Sequence, residues 1–129
     1  MRIPILSVLT ILCAFVITTE VVHAQDAETL TKAVSKKIPF RTEDVLHVIG
    51  EKASIRVTGW QNDYVQVEIV FSSVNPDKKI AARELEYMQY SLSRDNRIVE
   101  IRNAFILPAS TDQIHSKLEV FMELKVPGG

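Results

Sequence analysis

The stretch "ASIRVTGWQNDYVQVEIVFSS", Ala53 to Ser73, alternates apolar and polar residues on both sides of a Gly-Trp turn. Ile55 and Val57 point one way, while Ser54, Arg56 and Thr58 point the other. Val65, Val67, Ile69 and Phe71 share a face against Gln66 and Glu68. A period of two is that of a β-strand with one face buried. Turns favour small polar residues, yet Trp60 brings a large ring to this one.

The same alternation extends outward. "VLHVIG" places Leu46 and Val48 on one face and His47 away from it. "KLEVFMELKV" places Leu118, Val120, Met122, Leu124 and Val126 on one face, with Lys117, Glu119, Glu123 and Lys125 on the other. Phe121 alone is apolar on that polar face, and is therefore a candidate contact residue. "YSLSRDNRIVEIRNAF" reads as a hairpin with Arg94–Asn96 at its tip, and Leu107–Ser116 as a longer loop. "NPDKKIAARELEYM" breaks the pattern. Asn75 suits an N-cap and Pro76 a first helical position, and Ala81, Leu85 and Met88 follow at helical spacing. One short helix over about 77–87 is predicted. Strand signals recurring about every ten residues imply a mainly β fold rather than alternating β and α units.

Arg2, the apolar run Ile3–Ile17 and "VVHAQ" form the pattern of an export signal, cut after Ala24. The rival reading is an uncleaved anchor, but the run is shorter than the roughly 20 residues a spanning helix needs, and Glu20 interrupts it. No membrane span is expected after cleavage. Cys13, the only cysteine, falls inside the signal, so the mature chain is expected to have neither disulfide nor thiol nucleophile. Residues 25–39 are polar and aperiodic and read as a flexible lead-in, with packed structure beginning at Phe40 and running to residue 129. Fifteen basic and 16 acidic side chains give a formal net charge of −1. Nucleic acid is therefore a poor partner, because it demands a basic patch.

No catalytic or metal signature stands out. His47 sits in a strand, and His115 in a polar loop three residues after Asp112, whereas catalytic zinc sites want three ligands and structural ones four. No serine lies in a GxSxG elbow or an SxxK motif. Glu119 with Glu123, and Asp77 with Glu84, are flanked by basic residues and read as surface ion pairs. No catalytic, cofactor-binding or metal residues are assigned, and no cofactor is expected.

Four passages, "LHVIGEKASIRVTGW", "YVQVEIVFSS", "ARELEYMQYSLSRDNRIVEIRN" and "LEVFMELKVPGG", resemble the N-terminal part of a family of exported bacterial β-strand-repeat proteins labelled as adhesins, mostly of unknown function. The resemblance implies a short-stranded β-sandwich or the start of a β-solenoid, and a Trp60 that folds back to cap the end of the strand stack, its ring covering apolar edges; the alternative is an exposed aromatic with no special role. It also implies a chain that continues into repeats after "VPGG", so that 40–129 is a truncated domain. The implied role is a non-enzymatic structural or interaction module at the periplasm or cell surface, with an envelope protein or a glycan as partner. The alternatives are a periplasmic sensor or regulatory partner and, behind it, an enzyme acting on polysaccharide.

Overall fold

The alternating segments form strands that divide between two sheets. The computed structural model describes residues 29–109 and 113–128, and the backbone of 19–24. The strands are β1 (Thr19–Ala24), β2 (Thr29–Pro39), β3 (Val45–Ile49), β4 (Ala53–Trp60), β5 (Tyr64–Val74), β6 (Met88–Asp95), β7 (Ile98–Phe105) and β8 (Lys117–Pro127). One helix, α1 (Lys78–Leu85), follows β5. The larger sheet has the order β1-β2-β5-β8-β4 and the smaller β3-β7-β6. Both are mixed, because β4 runs parallel to β8 and β3 parallel to β7 while the other pairs are antiparallel. The fold is mainly β with one short helix, and no solenoid is found among the described residues.

One hydrophobic cluster joins the two sheets and the helix. Val65, Val67, Ile69 and Phe71 of β5 and Val120, Met122 and Leu124 of β8 supply its floor. Met88 of β6 and Ile101 of β7 come from the smaller sheet, and Ala81 and Leu85 from α1, which packs on β2 and β5. Phe71 meets Tyr90 between the sheets, with ring centroids 6.4 Å apart. Each fully buried aliphatic side chain here contributes roughly 1.5–3 kcal/mol.

Two polar devices fix how the chain passes between the layers. Buried Asn103 of β7 clamps the β3–β4 turn. Its Nδ2 donates to the Glu51 carbonyl at 3.1 Å, and its Oδ1 accepts from the Glu51 N–H at 2.8 Å. In that turn a Cβ on Gly50 would lie 2.8 Å from Ile55 Cδ1, so a larger residue there would force a shift. At the other end, Arg94 of β6 donates to Asp44 Oδ2 at 2.9 Å and to the Pro39 carbonyl. The Arg41 amide bond and the Arg94 guanidinium hold the Asp44 carboxyl below its ordinary range.

Several expectations need correction. Residues 29–39 are no flexible lead-in but the long strand β2, paired with β5 along its whole length. The alternation is masked because Lys32 and Lys36 share its inward face with Leu30, Val34 and Ile38. The Lys32 ammonium rests 5.3 Å from the Phe71 ring centroid, where its charge meets a π face. The helix cap is Asp77, not Asn75: Asp77 Oδ1 accepts from the Lys79 amide at 2.9 Å. The helix stops at Leu85, and Met88 begins β6. The hairpin tip is Asn96–Arg97, because Asp95 pairs with Ile98. The apolar run Ile3–Ile17, Cys13 and Asp112 lie outside the described residues. Among those described, no helix is long and apolar enough to cross a membrane.

Candidate functional site

Pairing in the larger sheet assembles its outer face row by row, since directly opposed residues share a face. Ala33, Val70, Phe121 and Ser54 stand opposite one another across β2, β5, β8 and β4. The next row is Ser35, Glu68, Glu123 and Arg56, in which Arg56 approaches Glu123 at 3.9 Å. On the other side Ser72 stands opposite Glu119. An apolar stretch, Ala33, Val70 and Phe121 on β2, β5 and β8, thus lies between polar neighbours. Phe121 is 43% exposed and Val70 37%. Two shallow grooves meet at Val70. One, of about 210 Å³, runs along Ala33, Ser35 and Glu68; the other, of about 370 Å³, along Ser54, Ser72, Glu119 and Phe121.

Trp60 shares this outer face but not this row. It is the last residue of β4 rather than part of the turn, and stands opposite Pro127. Its Nε1 donates to the Tyr64 carbonyl at 2.9 Å, and the two rings meet edge-on with centroids 5.0 Å apart. Lys125 and Lys37 place their ammonium groups 5.6 Å and 5.0 Å from the Trp60 and Tyr64 ring centroids. Trp60 therefore bridges β4 to β5 past the end of β8, whose Gly128 N–H donates to the Trp60 carbonyl at 3.2 Å. It is half-buried and stands outside the shared core cluster. Six residues of extended strand separate the two rows, roughly 20 Å. Trp60 and Phe121 thus lie on one face and do not converge.

No protein-family model matches the chain, and neither the curated proteins nor the solved structures yield a match. Function must therefore be read from geometry.

A second cluster has no counterpart among the sequence motifs. Glu84 reads in the sequence as a surface acid, but it is buried on the inner side of α1. Its Oε1 accepts from the Ser116 amide at 2.6 Å, and both carboxylate oxygens lie 3.0 Å from the His115 amide. His115 Nδ1 is 3.3 Å from Oε2. Asn75, also buried, donates from Nδ2 to the His115 carbonyl and to Ser116 Oγ, each at 3.2 Å, and accepts from the Asp77 amide at 2.9 Å. Burial pushes the Glu84 carboxyl up. The Ser116 hydroxyl and the His115 and Ser116 amides more than offset this and hold it below its ordinary range.

Glu, His and Ser are the residue types of a hydrolase triad, but the arrangement differs. In a triad the ring nitrogen that is not held by the acid faces the serine. Here His115 Nε2 contacts Gln113 Nε2 at 3.2 Å, and Ser116 Oγ is taken by Asn75. The cluster instead ties the end of the loop before β8 to the helix. Helical spacing alone could have flagged Glu84, which follows Ala81 by three residues and precedes Leu85 by one. His47 is exposed on β3. Among the described residues no group of three or more His, Cys, Asp and Glu could hold a metal ion.

Proposed function

We propose that the chain is a non-enzymatic interaction module of the bacterial envelope that binds a partner protein with the outer face of its larger sheet. The apolar row centred on Val70 and Phe121 is the observation that carries this reading. Antiparallel strands with one face in water, as β5 and β8 are, normally turn polar residues outward. Here an aromatic and a branched side chain oppose one another on adjacent strands, at the junction of two grooves. The outer face holds both acids and bases, so apolar contact and shape, rather than net charge, would select the partner. The export signal pattern and the resemblance to β-strand-repeat adhesins fit the same reading.

The test is retention of the labelled protein on isolated bacterial envelopes. Phe121→Asp should abolish retention while leaving the melting transition in place, because the side chain points outward. Undiminished retention of a folded Phe121→Asp protein would refute the reading.

A further inference from the structure

The edge of the larger sheet at β4 is a second surface, independent of the outer face. Among the described residues β4 pairs with β8 alone. Sheet edges are commonly protected by proline, by inward-pointing charge or by shortness. β4 has eight residues, no proline and no charged residue facing inward. Its inward positions are Ala53, Ile55, Val57 and Gly59, which stand opposite Val120, Met122, Leu124 and Val126. Ile55 is 41% and Val57 56% exposed, while Met122 and Leu124 beside them are fully buried. The inner apolar layer thus continues into open space at this edge.

We infer that two copies of this chain pair antiparallel through β4, centred on Val57, so that the two larger sheets become one. Opposed residues in an antiparallel pair share a face, so a two-fold axis must set one residue opposite its own copy. Centring on Arg56 opposes two guanidinium groups, which is unfavourable. Centring on Ile55 or Thr58 shortens the overlap. Centring on Val57 aligns Ser54 through Trp60 with the reversed strand of the partner. Val57 then meets Val57, and Ile55 meets Gly59, whose missing side chain leaves it room. Arg56 meets Thr58 and keeps its Glu123 partner at 3.9 Å. The inward row becomes continuous across the junction, and the free strand edge is paired, which is the mode of β-strand addition.

The register is read directly by cross-linking. In the full chain with Cys13→Ser, single cysteines are placed by Val57→Cys, Ile55→Cys or Arg56→Cys and oxidised in dilute solution. Opposed Cβ atoms lie about 4.5–5.5 Å apart, within reach of a disulfide after a small adjustment. A disulfide-linked dimer is expected for Val57→Cys and not for the other two. Equal cross-linking at all three positions would show random collision and overturn the register. In parallel, Val57→Lys opposes two ammonium groups at an exposed position. It should lose the sedimenting dimer while keeping its far-ultraviolet circular dichroism. A wild-type chain that sediments as a monomer over the whole concentration series, or a Val57→Lys chain that remains dimeric, would overturn the proposal.

Discussion

Trp60 shows how much one side chain does when it is only half-buried. Its indole N–H bonds to the Tyr64 carbonyl, its ring meets the Tyr64 edge, and Lys125 sits over its face. These contacts tie two strands that are not neighbours. Because the ring lies outside the shared core cluster, its removal leaves no enclosed cavity. Trp60→Ala should therefore cost about 1–3 kcal/mol, less than the roughly 3–5 kcal/mol of a fully buried aromatic. Urea denaturation of the variant against wild type measures this directly. A loss at the upper, core-like value would mean that the ring supports more than the strand ends.

Among the elements, the β6–β7 hairpin offers the sharpest local test. Asn96 opens its two-residue turn with φ 59°, in the left-handed region. Asparagine tolerates that conformation and a β-branched residue does not. Asn96→Ile should lose about 1–2 kcal/mol in denaturant midpoint analysis, whereas Asn96→Gly should be close to neutral. This hairpin was legible in the sequence, as were β4, β5, β8 and the short helix, because turn residues and a period of two or of 3.6 are local signals. β2 was not legible, since Lys32 and Lys36 occupy inward positions and break its alternation. The pairing of β4 with β8 was illegible too, because no local pattern encodes a parallel partner so far along the chain. For the site, Phe121 was recognisable as an apolar residue in a polar phase. Val70 carries the same signal one strand away, and only the register reveals that the two stand opposite each other.

For the whole molecule, two carboxylates among the described residues contribute to the response to acid. Glu84 holds the loop before β8 onto the helix, and Asp44 joins Arg94 to the β2–β3 corner. Both have folded-state pKa values below their ordinary ones. The unfolded chain thus takes up protons first as pH falls. The stability these groups contribute is complete above the ordinary carboxylate range of about 4 to 4.5, and is lost as pH drops through it toward the folded values. Unfolding free energy should therefore hold level down to about pH 5 and decline below it. Glu84→Gln should lose about 1–3 kcal/mol at neutral pH, because an amide N–H₂ then faces amide donors, and should show a shallower acid decline. An unaltered acid limb in Glu84→Gln would mean that Glu84 does not govern it. The sheet order β1-β2-β5-β8-β4 also has a temporal meaning. A ribosome delivers β4 long before β8, the strand that holds it, and β5 waits for the same neighbour on one side. Such distant pairings make folding slow. The larger sheet closes only when β8 arrives, so synthesis itself sets a timer: until the ribosome has released Lys117–Pro127, β4 and one edge of β5 wait without their neighbour.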